Sequence, residues 1–199
     1  WEDKSVLSRE YQLLENSTST RAMMNGLDAV HKGLEADATV TFSERVRVQL
    51  SASAGDWKWQ NNVEALLFNQ AHEIVDTVKV YADGLKVGDA PQLQAAATLW
   101  VLPLSNLELN VTWNWYDQLY ASFDPASRTN PSDTQQPWRV PSYHTLDAGL
   151  TYKKQLFGQP VIFTMSGSNL LNHSYIIRGT DGINHSEAGF TGFWGFGRS

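Results

Sequence analysis

The sequence predicts an all-β chain of the antiparallel, up-and-down transmembrane-barrel type, and three observations lead there. Apolar residues recur at every second position through runs about ten residues long, the length a tilted membrane strand needs. Tight turns alternate with long loops along the chain. Large aromatic residues gather toward the ends of the runs, as interfacial girdles do.

The runs come in hairpins. Leu34, Ala36, Ala38, Val40 and Phe42 alternate with Glu35, Asp37, Thr39 and Thr41. Ser43-Glu44-Arg45 then turns the chain into Val46, Val48, Leu50, Ala52 and Ala54, which alternate with Arg47, Gln49, Ser51 and Ser53. Trp57 and Trp59 fall in the opposite phase, so a bulge is expected at Gly55-Asp56. A second hairpin joins Leu93, Ala95, Ala97, Leu99 and Val101, through Ser105-Asn106, to Leu107, Leu109, Val111, Trp113 and Trp115. A third joins Leu146, Ala148, Leu150 and Tyr152, through Phe157-Gly158-Gln159-Pro160, to Val161, Phe163 and Met165. Long connections are expected at 63–92, 124–142 and 180–188, the second rich in Pro, Asn and Asp. Short turns on one side and long loops on the other are the layout of an outer-membrane barrel.

Composition narrows the classes. Mean hydropathy is −0.35, and no stretch approaches the ~18 consecutive apolar residues of a membrane helix. A barrel strand escapes that test because it hides its hydrophobicity by alternation. The formal net charge of −6 disfavours a nucleic-acid partner. With no cysteine, disulfides and thiolate metal sites are excluded. The opening Trp1-Glu2-Asp3-Lys4 has no charged n-region followed by an apolar h-region, so a mature chain or an internal fragment is expected. A soluble β-sandwich also alternates, but it sets its apolar face against a second sheet and charges the other face. Here the second face is small and polar: Thr39, Thr41, Ser51, Asn110, Thr112, Gly149 and Thr151.

Several motifs extend the reading. Asn169-Leu170-Leu171-Asn172-His173-Ser174-Tyr175 follows an alternating strand, and Gly197-Arg198-Ser199 follows in turn. With Asn25-Gly26-Leu27-Asp28, Gly55-Asp56-Trp57-Lys58-Trp59 and Pro137-Trp138-Arg139-Val140-Pro141, they resemble the C-terminal part of TonB-dependent outer-membrane receptors of the Bacteroidota type. That resemblance implies one unit over 1–199, the C-terminal portion of a barrel of roughly 22 strands, of which this chain supplies roughly seven or eight. It implies a plug domain, a TonB box and a last strand end that the sequence does not contain. The sheet edges are expected at residues 1–5 and 193–199, each pairing with further polypeptide because open edges are not tolerated in hydrocarbon.

The implied function is active transport across the bacterial outer membrane. The receptor would bind a scarce nutrient (siderophore, haem, cobalamin, glycan or peptide) and import it with TonB-supplied energy. Its partners would be outer-membrane lipid, the plug and remaining strands, TonB and the nutrient, with no nucleic acid. Alternatives are a soluble carbohydrate-binding β-sandwich and a small structural or adhesive outer-membrane barrel. The small polar face counts against the latter, since a narrow barrel fills its interior with side chains.

No enzymatic constellation is present. The five histidines, His31, His72, His144, His173 and His185, form no close-spaced ligand pair, so no metal and no cofactor are expected. Asp181-Gly182 before His185 is first a turn signal, lacking the spaced acids of a calcium loop. Trp57, Trp59, Trp113, Trp115, Tyr152 and Phe157 are expected to form the membrane girdles. Tyr116, Tyr120, Trp138, Arg139, Tyr143 and Arg178 are the candidate ligand contacts, because they combine aromatic faces with fixed positive charge near the loops.

Overall fold

The computed structural model describes residues 2–4, 9–12, 21–182 and 185–198. Its strands are β1 (Glu2–Asp3), β2 (Arg9–Gln12), β3 (Arg21–Met24), β4 (Ala29–Ser43), β5 (Val46–Trp59), β6 (Val63–Phe68), β7 (Ile74–Val80), β8 (Leu93–Leu104), β9 (Leu107–Asp117), β10 (Tyr143–Leu156), β11 (Gln159–Gly167), β12 (Ile176–Thr180) and β13 (Thr191–Trp194). Two single-turn 3₁₀ helices, Pro125–Ser127 and Glu187–Gly189, are the only helical elements among the described residues.

The largest unit is an open seven-stranded sheet in the order β1-β4-β5-β8-β9-β10-β11, antiparallel throughout. It is an up-and-down meander and does not close on itself, as expected of part of a barrel wall. One edge is β1 and the other is β11. The second edge therefore differs from expectation: the 193–198 segment lies beyond this sheet, with β13 paired to β12 in a separate ribbon.

Register explains the alternation. Ala38 pairs with Leu50, Leu50 with Ala97, Ala97 with Trp113, and Trp113 with Leu146. Directly opposed residues share a face, so these positions form one apolar surface across the sheet. Leu34, Val40, Leu50, Leu99, Val111 and Phe163 on that surface stay exposed. On the opposite face Ser51 meets Ala96, Thr98 meets Thr112 and Thr151 meets Thr164. The 34–42 run, rising ~3.4 Å per residue at a tilt of ~40°, covers about 20 Å of the ~25 Å apolar band of an outer-membrane barrel. Toward the turn end of this surface, Tyr152 and Phe163 stack at 6.5 Å between ring centres.

The bulge expected at Gly55 is absent. Pairing of β4 with β5 runs unbroken from Thr41↔Arg47 to Ala29↔Trp59, with Gly33 opposite Gly55. Trp57 and Trp59 therefore share the face of Ser51 and Ser53 and do not stand on the apolar surface where a girdle residue would. What changes at Gly55 is the surroundings. Below it, the outward side meets lipid. Above it, the inward side becomes the interior of the loops, so Trp59 is buried edge-on to Phe123 while Asp56 and Lys58 point outward and pair at 3.1 Å.

The 63–92 connection is also more ordered than a loop. β3 and β6 pair with each other, prolonging the β4–β5 hairpin, and β7 and β2 flank them in a second sheet of order β2-β3-β6-β7. The break between the two levels is bridged by side chains. Asn61 Oδ1 accepts from Asp28 N–H at 2.8 Å, and its amide donates to Gly26 O at 2.7 Å. Asn62 Oδ1 accepts from the N–H groups of Ala82 and Asp83.

The buried hydrophobic residues lie in this loop assembly. One cluster joins Met24, Leu27, Trp59, Val80, Leu85 and Phe123. A second joins Leu119, Val140 and Ile176, with Trp138 and Phe190 against it.

Candidate functional site

The polar face of the sheet ends, at its loop side, in a stack of tyrosines. Register places Tyr116 of β9 opposite Tyr143 of β10, and their ring centres lie 5.0 Å apart. Tyr143 stacks in turn on Tyr175 at 4.4 Å and 15°. Tyr175 rests on Gly195, where a Cβ would collide with its ring. A cleft of 490 Å³ opens beside the stack, with Asn114, Thr145, Asp147 and Asn169 among its lining. Tyr116 also walls a second cleft of 310 Å³, with Glu35, Asp37, Ser51, Ser53 and Gln94 on its other sides. The two clefts thus meet at Tyr116. A third, of 420 Å³, shares Glu35, Ser53 and Gln94 with the second and reaches Trp57. All three are open grooves on the sheet face, not enclosed pockets.

The polar groups around the tyrosines are held by one another. Asn114 Nδ2 donates to Asp147 Oδ2 at 3.1 Å, and Asp147 Oδ1 accepts from Asn169 N–H at 2.8 Å. Asn169 is buried; its amide donates to the carbonyls of His173 and Phe196, and its Oδ1 accepts from His173 N–H. Asn172 Oδ1 accepts from Arg198 N–H. Both asparagines have positive φ, 48° and 53°, a region that Asn tolerates better than other non-glycine residues. The Asn-Leu-Leu-Asn motif is therefore a clasp that ties the start of the 170–198 excursion to its end.

The six expected ligand contacts divide. Tyr116 and Tyr143 lie together in the stack. Tyr120 and Arg139 form an isolated bridge nearby, with the Lys86 ammonium 5.7 Å from the Tyr120 ring centre. Arg139 is committed: its Nη2 donates to both Asp117 oxygens, at 2.6 and 2.8 Å, and this partner raises its pKa. Trp138 packs against Phe190 at 4.7 Å, and Arg178 covers the Phe193 ring at 4.9 Å. Of the expected girdle residues, Trp113 and Trp115 lie on the apolar surface toward the loop end, and Phe157 is fully exposed at the opposite turn.

Sequence reasoning passed over a buried charge cluster beneath the loops. Arg128 is fully buried; its Nη1 lies 3.2 Å from Asp133 Oδ2, and its Nη2 lies 3.5 Å from Asp181 Oδ2. His185 spans the two carboxylates, Nδ1 at 2.5 Å from Asp181 and Nε2 at 2.9 Å from Asp133. Burial pulls the Asp133 pKa up, but the bonds from His185 and Gln135 and the Arg128 charge outweigh it, leaving it lowered. Desolvation pushes Asp124 the other way, above its ordinary range. No group of three or more metal-ligating side chains occurs among the described residues.

An open antiparallel wall with an unbroken apolar outer face, a polar inner face, short turns at one end and elaborated loops at the other defines part of an outer-membrane β-barrel. The family model described as TonB dependent receptor-like, beta-barrel matches residues 13–170, and the chain belongs to that family. No curated protein matches the chain. The family is one of outer-membrane receptors and transporters, so the chain is a receptor barrel segment of the bacterial outer membrane.

Proposed function

We propose that residues 1–199 form the C-terminal portion of the barrel of a gated importer, whose plug and remaining strands complete the lumen. The receptor binds its nutrient from outside and moves it inward with energy supplied through TonB. The observation that supports this most is the connected set of clefts on the inner face, placed at the loop end where an incoming ligand arrives first. The apolar face of the sheet counts against a soluble sandwich: among the described residues no second sheet covers it, and Leu34 is 82% exposed there. The small residues Ser51, Ser53, Ala96 and Gly149 on the inner face suit a wide lumen better than the filled interior of a narrow barrel.

The reading is tested on the full-length receptor in cells. Dissipating the proton gradient with an uncoupler should abolish uptake of the nutrient while leaving surface binding intact. Uptake that persists without the gradient would mark a passive pore, and the importer assignment would fall.

A further inference from the structure

Resting on the importer reading, we infer that the ligand is a neutral, hydroxyl-rich oligomer of the oligosaccharide class, laid across Tyr116 along the inner wall. The argument begins with charge. In the loop-side half of the polar face, the charged residues contributed by β4, β5, β8, β9 and β10 are Glu35, Asp37 and Asp147, and none is Lys or Arg. Asp147 is hydrogen-bonded on both oxygens, but Glu35 and Asp37 have no ion-pair partner among the described residues. The nearby cations of this wall segment are occupied. Lys86 binds Asp56 at 2.6 Å, Arg139 holds Asp117, and Arg128 is buried under the loops. A groove lined by two exposed carboxylates, with no offsetting cation on the same stretch of wall, repels an anionic ligand, most strongly at low ionic strength. That disfavours multiply charged siderophores and carboxylated macrocycles at this wall.

The second step is shape and bonding. Aromatic rings stand at both ends of the connected clefts: at one Trp57, which packs partly against the loop core and His31, and at the other the tyrosine stack. The surface between them is Glu35, Ser51, Ser53 and Gln94, short polar groups that make a shallow floor. Register sets Tyr116 level with Ser53, so Trp57 lies two strands away and four residues further along, roughly 16 Å in all at ~4.8 Å per strand and ~3.3 Å per residue. A ligand that uses both platforms is therefore an oligomer. Carboxylates accept strongly from hydroxyl donors, and the C–H face of a pyranose lies well on a Tyr or Trp ring. A cationic peptide would satisfy the charge but gains nothing from flat aromatic ends separated by a floor without apolar pockets.

The test is titration of the detergent-solubilised full-length receptor with cellohexaose, mannohexaose, xylohexaose, a matched-length oligogalacturonate, a ferric tris-catecholate and hexalysine. At least one neutral hexasaccharide should bind. Tyr116→Ala should weaken it about tenfold or more, and Tyr116→Phe should not. Glu35→Gln with Asp37→Asn should admit oligogalacturonate where the parent excludes it. Circular dichroism and heat-dependent gel migration check that each variant is folded. Preferential binding of oligogalacturonate, catecholate or hexalysine, binding of none of the six probes, or neutral binding indifferent to Tyr116→Ala in a folded barrel overturns the inference. Energy-dependent uptake of an anionic probe would sink the ligand class and leave the importer standing. A saccharide bound at Tyr116 without energy-dependent uptake would do the reverse.

Discussion

The spanning sheet and the loop assembly above it follow opposite rules of burial. In the sheet, both faces look away from the chain, one to lipid and one to the lumen, so its large apolar residues remain exposed: Phe42 at 70%, Met165 at 69%. In the loops, Met24, Leu27 and Phe123 are buried and a full charge cluster is enclosed. The sheet is held by backbone ladders and by the membrane, whereas the loops have a conventional core. The two regions should therefore respond to different insults, and each substitution below sets them against each other.

The largest effect is expected in the loops. Arg128→Ala removes the cation from between Asp133 and Asp181 and leaves the buried Asp181 carboxylate, with the partly exposed Asp133 beside it, short of its guanidinium partner. Breaking a buried pair in this way costs about 3–5 kcal/mol. Limited proteolysis should cut the 118–142 and 170–198 segments in the variant and spare them in the parent, while the spanning strands stay protected. If the strands are lost together with the loops, the two regions are one cooperative unit and the comparison fails.

Next comes the membrane. Val111, midway along β9 and paired with Leu99 and Ala148, should cost ~2–4 kcal/mol as Val111→Arg. Its neighbour Thr112 faces the lumen and loses only the 3.0 Å hydroxyl bond to Thr98, so Thr112→Arg should cost about 1 kcal/mol or less. Urea titrations of the full-length receptor refolded into vesicles give both values. Similar costs at the two sites would contradict the assignment of faces.

These two regions also differ in how far the sequence discloses them. Alternation was enough for β4, β5, β8, β9, β10 and β11, because each residue there answers to one of two uniform surroundings. The loops obey no period. Arg128 and His185 meet across 57 positions, and Tyr175 reaches the tyrosine stack through an excursion closed by Asn169. Trp57 and Trp59 show where the reasoning breaks. Their apolarity is out of phase at unbroken register, since above Gly55 the interior takes over from lipid as the place for an apolar side chain. A change of apolar phase without a bulge thus marks the edge of the membrane band. Among the candidate contacts, the meeting of Tyr116 with Tyr143 follows from strand register alone, while the partners of Trp138, Arg139 and Arg178 follow from no local pattern.

A smaller effect is expected at the clasp. Asn169→Ala leaves His173 N–H and two carbonyls without their partner, a loss of about 1–3 kcal/mol. Amide exchange should speed up between 170 and 198 and stay unchanged in β4 and β5.

Acid should act on the loops in two stages. Asp124 has a raised pKa, so it costs stability while ionised, and that cost is relieved as the pH falls toward the carboxylate range. Asp133 has a lowered pKa, so its contribution is complete above the unfolded value of ~3.9 and is lost as the pH falls through its own, lower value. Loop protection should rise slightly and then fall on acidification. Asp124→Asn should remove the rise alone, and a monotonic profile in the parent would contradict the pair.

The smallest effect concerns Arg139, and it separates a ligand contact from a surface tie. Its side chain is 52% exposed, and its partner Asp117 stands at the loop-side end of β9 on the outward face. An exposed pair of this kind contributes ~0–1 kcal/mol to stability. Because the Asp117 carboxylate already offsets its charge, the guanidinium attracts an anionic ligand only weakly, although both bonds to Asp117 come from Nη2 alone. Arg139→Ala should therefore leave thermal stability within that margin and leave saccharide affinity unchanged. Asp117→Asn is the sharper case, since it frees Arg139 without removing it. Should oligogalacturonate bind the Asp117→Asn receptor and not the parent, the ion pair is what keeps positive charge away from the lumen. Should Arg139→Ala abolish binding of the parent's own ligand, Arg139 reaches that ligand despite Asp117, and the sign of charge inferred for the inner wall would have to be reversed.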